Sequence, residues 1–196
     1  MNIAFFDFDG TLIKKDSFFL FARYVSPKKT IIATILLLYY SSLRLLGIIS
    51  TKTLKEKILV FYFKGKKVSE IMELAARFAV EVLPKAIQKE AIQKLDLHKT
   101  NGDKIVIVSA SLDLWLKPWC LQNNYELICT CAEINEDYIT GKIAGKNCKG
   151  EEKVRRITEV YKLGNYENIY VYGDSKHDYP MLRLGTHSFM NWKLIK

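Results

Sequence analysis

A chain of 196 residues, 49% of them hydrophobic, is long enough for one domain, or one domain with a sizeable insertion, around a substantial core. The net charge of +9 sits almost wholly between residues 14 and 67, where twelve Lys and Arg face only Asp16 and Glu56; that segment carries +10 and the remainder sums to −1. Four cysteines without C-x-x-C spacing argue against a zinc site and for reduced thiols, and the start has no basic n-region or apolar leader, which argues against a secretory signal and for a cytoplasmic catalytic part.

In chain order, residues 2 to 8 read as a buried strand, a short apolar run ending in Asp7-Phe8-Asp9-Gly10. Residues 17 to 100 read as helical almost throughout. Ser50 or Thr51 is expected to cap one helix, Ser69 another that runs to Val82, and Pro84 opens a further one ending near Asn101-Gly102. K-I-V-I-V-S, 104 to 109, is a second buried strand, followed by a helix from about Leu112 to Gln122 and the strand E-L-I-C-T-C. The alternation across 133 to 143 reads as a hairpin turning at Asn135 to Asp137. Residues 150 to 163 are helical, 168 to 172 form a third buried strand, and after Gly173-Asp174 and a short helix H-S-F-M closes the set as a last strand. Strands alternating with helices predict an α/β fold with a doubly wound parallel sheet. The expected division is a catalytic core of residues 1–13 and 91–196 and a helical insertion of 14–90 right after the first strand.

Ligands bind outside the carboxyl ends of the strands in such sheets. Three strand ends deliver Asp7 and Asp9, Ser109-Ala110-Ser111, and Gly173-Asp174 with Asp178 four residues on. Residues two apart on an extended chain point the same way, so Asp7 and Asp9 share a target. Several ionised carboxylates crowd together only around a counter-charge, and a hard cation such as Mg2+, with a substrate phosphate and waters, supplies one. Lys153 adds a second positive group. One aspartate then has phosphorus within reach as a nucleophile, and the other serves as acid and base. Ser109, Lys153 and backbone amides near Gly10 are candidates to hold phosphoryl oxygens. Each motif alone has an ordinary structural explanation: an acidic turn, a helix cap, a solvated lysine. Their conjunction in order carries the reading.

These residues resemble the haloacid dehalogenase-like superfamily of phosphohydrolases over nearly the whole chain: D-F-D-G-T (7–11), V-S-A-S (108–111), K-G-E-E-K-V (149–154) and G-D-S-K-H-D-Y-P-M-L (173–182). The insertion looks like the C1 cap of subfamily IB, the phosphoserine phosphatase-like branch. The resemblance implies Asp7 as nucleophile and metal ligand, and Asp9 as general acid/base that binds the metal through its carbonyl. It implies Ser109 and Lys153, with the neighbouring Gly10 and Ala110, as phosphoryl-binding. Asp174 would ligate Mg2+, and Asp178 would lie in its outer shell or on the lysine. Asp16 falls where relatives carry an acidic residue facing the substrate, and Arg23 is the cation expected beside it. His177 stands where those relatives often have Asn, and reads as a neighbour rather than a base.

The second departure is the run 31–49, with Arg44 its one charged residue. A helix apolar all round lies deep in a core or in lipid. Its length permits a membrane span, but one crossing would separate Asp7 from Ser109, Lys153 and Asp174. The open readings are a dip that turns at Ser41-Ser42, an interfacial segment, a homodimer contact and a cap core. Basic residues across 28–57 suit an anionic membrane surface. Relatives that dephosphorylate phosphatidylglycerophosphate also carry apolar caps. The expected partner is therefore a phosphomonoester, with a phospholipid head group favoured and a soluble metabolite as the alternative, and no nucleic acid. A phosphotransferase or a non-catalytic binding module on the same scaffold stays open.

Overall fold

The computed structural model describes residues 1–196, apart from the side chain of Thr51. A seven-stranded sheet runs through it in the order β4-β3-β2-β1-β5-β6-β7. The strands are β1 (Ile3–Phe6), β2 (Lys104–Leu112), β3 (Glu126–Asn135), β4 (Tyr138–Ala144), β5 (Ile169–Gly173), β6 (His187–Met190) and β7 (Lys193–Leu194). β1 lies between β2 and β5, parallel to both, and β3 and β6 extend the parallel set. The chain therefore builds outward from β1 to one side, then returns to build the other side. The crevice at this reversal lies at the carboxyl end of β1, where a parallel sheet binds its ligand.

Every residue of β1 is wholly buried, as an apolar strand covered on both faces must be. Alternation sends Ala4 and Phe6 into one cluster and Ile3 and Phe5 into another. The second cluster is covered by Ile157 of α8 (Glu151–Val160) and by Met181 and Leu182 of α9 (Tyr179–Leu182). The first holds the remaining helices: α1 (Ser17–Val25), α2 (Thr30–Leu45), α3 (Thr51–Phe63), α4 (Val68–Glu81), α5 (Leu83–Ala86), α6 (Lys89–Thr100) and α7 (Asp113–Gln122). α4 packs on α7, α3 on β4, and α2 on α3. The doubly wound sheet is as expected.

Local chemistry moves several boundaries. Ser50 caps α3, its Oγ accepting from the Thr53 amide at 3.0 Å. Ser69 caps nothing: α4 starts one residue earlier, and the Val68 amide donates instead to the Asp137 carbonyl of the hairpin at 2.8 Å. That turn is made by Glu136 and Asp137, both at positive φ, which matches the twist of a two-residue hairpin. The helix expected from Pro84 breaks at Ile87 and Gln88, where both residues are extended. The Gln88 amide donates to the Leu12 carbonyl at 2.9 Å, a bond a continuous helix has no room for. β3 is one strand, its first half parallel to β2 and its second half antiparallel to β4.

The apolar run forms one continuous helix, α2, which passes straight through Ser41-Ser42 and ends near Gly47 at φ +74°. The turn expected at the serines is absent because the Ser42 hydroxyl folds back onto the Tyr39 carbonyl at 2.7 Å, inside the helix. Nor is this helix a cap core, since Ala33 is its one buried residue. Ile31, Ile35, Leu38 and Leu45, at 62 to 79% exposure, form a stripe facing outward. No helix among the described residues is long and apolar enough to cross a membrane.

Candidate active site

Asp7 follows the last residue of β1, and its amide donates to the Tyr172 carbonyl of β5 at 3.0 Å, so the ladder itself aims it. Lys153 enters from the first turn of α8 and is almost wholly buried. Its ammonium donates to Asp7 Oδ1 at 2.5 Å and to Asp178 Oδ1 at 2.7 Å. Two buried carboxylates thus share one cation. Burial pushes the Asp7 carboxyl up to about 7; Lys153 opposes this, and the charges of Asp178 and Asp9 add to it. Burial alone would lower Lys153, but Asp7 and Asp178 together hold it above its ordinary value. For Asp178, burial works upward and is outweighed by Lys153 and the Ser175 donors, so its carboxyl stays low.

Asp174 is half-buried at the end of β5, and one of its oxygens accepts from the Thr11 hydroxyl at 3.4 Å. One carboxylate oxygen from each of Asp7, Asp174 and Asp178 lies within 4.8 Å of the others. Three hard oxygen donors against a single lysine fit a divalent cation of the Mg2+ kind. Asp178 is the least free of the three: its other oxygen accepts from the Ser175 amide at 3.1 Å and hydroxyl at 3.0 Å.

Gly10 plays a different part from the phosphoryl contact expected of it. Its amide donates to the Ile13 carbonyl at 2.7 Å and is spent inside the turn. Its φ is +89°, and a Cβ there would stand 2.3 Å from Asp174 Oδ2. Glycine is what lets the β5 carboxylate close over the β1 loop. Gly10→Ala is therefore expected to displace Asp174. It should raise the Mg2+ concentration needed for half-maximal activity by about tenfold or more, and cost about 1–2 kcal/mol in left-handed backbone strain. A Mg2+ titration of activity beside a urea melt measures both, and an unchanged titration would remove Gly10 from the site. Gly173 admits Asp178 similarly, since a Cβ there would come within 2.6 Å of the Asp178 Cβ.

The end of β2 supplies the second wall. Between Ser109 and Leu112 the register slips, so Ala110 and Ser111 are two extra residues opposite the single step from Cys129 to Thr130. The bulge brings the Ser111 hydroxyl onto Asp9. The Ser109 hydroxyl accepts from the Ser111 amide at 3.0 Å, and the Ala110 carbonyl accepts from Lys55 Nζ of α3 at 2.7 Å. The Asp9 carboxylate is not part of the three-carboxylate cluster. It accepts from the Ser17 amide at 2.7 Å and from the Ser111 hydroxyl, and burial holds its carboxyl above the usual range despite those bonds.

These groups line a cavity of about 330 Å³. Asp7, Asp9, Ser109, Ala110, Lys153, Asp174 and Asp178 are all on its wall, and Asp16 is at its edge. Asp16 also caps α1, accepting from the Phe18 amide at 2.9 Å. Arg23 does not reach the cavity: it is exposed in the last turn of α1, about 10 Å along the helix from the cap at 1.5 Å per residue. His177 lines the cavity from an exposed position, and slight desolvation with Lys149 and Lys176 nearby keeps its imidazole below the ordinary value.

Residues with no motif around them complete the site. Lys55 also donates to Asn147 Oδ1 at 2.9 Å, and Gln88 Nε2 donates to the Thr11 carbonyl at 2.6 Å, bracing the loop after β1. The Trp115 indole donates to Ser17 Oγ at 2.9 Å. Their one sequence signal is charge or polarity inside helices that otherwise read as packing.

The profile of the haloacid dehalogenase-like hydrolase family matches residues 4–183. The chain is 30% identical to Protein CicA of Caulobacter vibrioides over 91% of its own length and 81% of that protein. It is 27% identical to a histidinol-phosphatase of Neisseria meningitidis over 93% of its length and 86% of that protein. Among solved structures, a Bordetella pertussis protein of unknown function superposes with a TM-score of 0.82 at 23% identity, covering 96% of this chain and 89% of that one. A phosphoserine phosphatase in a phospho-aspartyl analogue state superposes at 0.65 and 15% identity, covering 96% and 85%.

Proposed function

The chain is a phosphatase of the haloacid dehalogenase-like hydrolase family, and on that premise we propose that it hydrolyses a phosphomonoester through Asp7, with Mg2+ held by Asp7, Asp174 and the Asp9 carbonyl, and Asp178 behind them. The observation that carries this reading is the buried Asp7 carboxylate on the cavity floor, 2.5 Å from Lys153 and clustered with Asp174. Bound there, the cation neutralises charge on the phosphoryl oxygens. The Asp7 oxygen forms its bond to phosphorus as the bond to the leaving oxygen breaks, and Asp9 passes its proton to that oxygen. Water then attacks the aspartyl-phosphate, Asp9 takes the water's proton, and the bond to Asp7 breaks to release phosphate. Ser109, Lys153 and the Ala110 peptide, all on the cavity wall, would hold the phosphoryl oxygens throughout.

The substrate we favour is a phospholipid head-group phosphate. Phe18, Phe19, Leu37, Leu54 and Ile58 make the outer wall of the cavity apolar, and Leu37 belongs to α2, whose opposite face is the exposed apolar stripe. A contiguous patch of this kind marks a surface that meets something. Lys28, Lys29, Arg44 and Lys52 are all exposed around it, which suits the peripheral face of an anionic, cytoplasmic membrane better than a homodimer contact. Residues 14–90 then serve as a C1-type cap that brings the mouth to the lipid. The second reading, a soluble phosphometabolite, draws on Asp16 and Lys55, opposite charges on the same cavity wall, and on the histidinol-phosphatase likeness.

Phosphate release from phosphatidylglycerophosphate in mixed micelles, measured beside phosphoserine and histidinol phosphate, tests the choice. The lipid should be turned over at least about tenfold faster, and Ile35→Glu/Leu38→Glu should abolish sedimentation with anionic vesicles, since each buried charge opposes insertion. Faster turnover of either soluble ester, with no vesicle binding by the unaltered chain, would select the metabolite reading.

A further inference from the structure

Both oxygens of Asp9 are held, and one of them ends a chain of three side chains, of which only Ser111 falls in a sequence motif. The Trp115 indole donates to Ser17 Oγ at 2.9 Å, and Ser17 Oγ lies 3.0 Å from Ser111 Oγ. The Ser111 hydroxyl reaches Asp9 Oδ2, while the Ser17 amide takes Oδ1 at 2.7 Å. An indole N–H can only donate, and at the other end Asp9 Oδ2 accepts from the Ser111 hydroxyl. The two ends therefore impose one direction on the chain: Trp115 to Ser17, Ser17 to Ser111, Ser111 to Asp9. Trp115, Ser17 and Ser111 are all buried, so water does not compete for these bonds. The chain gathers α7, α1 and the β2 bulge onto a single carboxyl group.

We propose that Ser111, oriented by Ser17 and Trp115, is a positioning residue that fixes the Asp9 carboxyl for proton transfer to the leaving oxygen. The proposal rests on Asp9 being the acid and base of the reaction. With Oδ1 and Oδ2 each accepting one bond, the proton to be delivered occupies a remaining lone pair, on the side open to the cavity. In the first step the Asp7–phosphorus bond forms, the bond from phosphorus to the leaving oxygen breaks, and that proton moves to the leaving oxygen. An alkoxide needs the proton; a dinitrophenolate leaves without it. A chain that merely ties α1 to β2 would treat both leaving groups alike.

The experiment compares kcat/KM for an alkyl phosphate and for 2,4-dinitrophenyl phosphate in Ser111→Ala, because kcat/KM covers binding and the step that expels the leaving group but not the later hydrolysis of the aspartyl-phosphate. The alkyl ester should lose about 10- to 100-fold, the range expected when a catalytic group drifts by about an ångström. The dinitrophenyl ester should lose at least tenfold less. Ser17→Ala keeps the amide bond to Asp9 Oδ1 and should show the same split at smaller size, which covers the case of a Ser111 variant that folds poorly. Equal losses for the two esters in both variants would overturn the proposal. Asp9→Asn in the same assay separates the two levels: a split there without one in Ser111→Ala rejects only the chain, and no split in Asp9→Asn rejects Asp9 as the acid.

Discussion

Asp7→Asn is expected to lower kcat by at least about a thousandfold while leaving the fold intact and, at pH 8, more stable. An amide offers no carboxylate oxygen to phosphorus, so turnover ends with the nucleophile. The same change relieves the protein. The Asp7 carboxyl stands at about 7 in the folded chain against 3.8 for a free one, chiefly because it is buried. The folded state thus binds a proton that the unfolded state releases. Its stability falls as pH rises from about 4 to about 7, and the penalty is complete above that. Three pKa units correspond to about 4 kcal/mol, an upper figure for a site that relaxes. The amide oxygen of the variant can take the place of Oδ1 and accept from Lys153, which also keeps Asp178, and the Thr11 hydroxyl, which reached Oδ2, keeps Asp174, so no donor is orphaned. Urea unfolding at pH 5 and pH 8 without divalent cation, beside a phosphate-release assay, measures both sides. Full activity would end the mechanism; no stability gain at pH 8 would mean that the Asp7 charge is not strained.

Much of this arrangement is legible in the sequence because it sits at strand ends. A short apolar run that stops in Asp-x-Asp-Gly can be placed without knowing its neighbours, and the parallel sheet then brings Asp7, Ser109 and Asp174 to one edge by topology alone. Lys153 is readable for the same reason, being in the first turn of a helix that follows the hairpin. What hides is whatever depends on a helix face meeting a loop. Gln88 offers only a polar side chain inside an expected helix, yet it sits where that helix breaks and bonds the loop after β1. Ser17 and Trp115 fall in segments that read simply as helix, although they are hydrogen-bonded to each other and the Ser17 amide to Asp9. Gly10 is visible as a turn glycine, but the reason for it, the approach of Asp174, is a contact between the two ends of the chain. The run 31–49 misleads for a physical reason: its composition says burial, but within the fold α2 buries only Ala33 and leaves most of its apolar surface exposed. Arg23 fails because the length of α1 lies between it and Asp16, which sits at the opposite end of the helix.

Lys153→Met should cost about 3–5 kcal/mol at pH 8 and at least about a hundredfold in kcat/KM. Methionine fills most of the same volume, so the loss is one of charge. Asp7 and Asp178, both buried, would face each other without the ammonium that holds them at 2.5 and 2.7 Å. The pH dependence identifies the cause. Removing the cation raises both carboxyl groups, and at pH 5 Asp7, already near 7 beside the lysine, takes up a proton and the repulsion is relieved. The destabilisation should therefore be clearly smaller at pH 5 than at pH 8. A cavity left by poor packing would be indifferent to pH. Combining the change with Asp7→Asn should recover part of the loss at pH 8, because one of the two stranded charges is gone. The interaction energy of that double-mutant cycle measures how far Lys153 is a counter-ion and how far a packed stem. Strict additivity, or equal losses at the two pH values, would mean that the carboxylates find another partner when the lysine leaves. The need for a divalent cation in the folded site would then have to be argued from Asp174 alone.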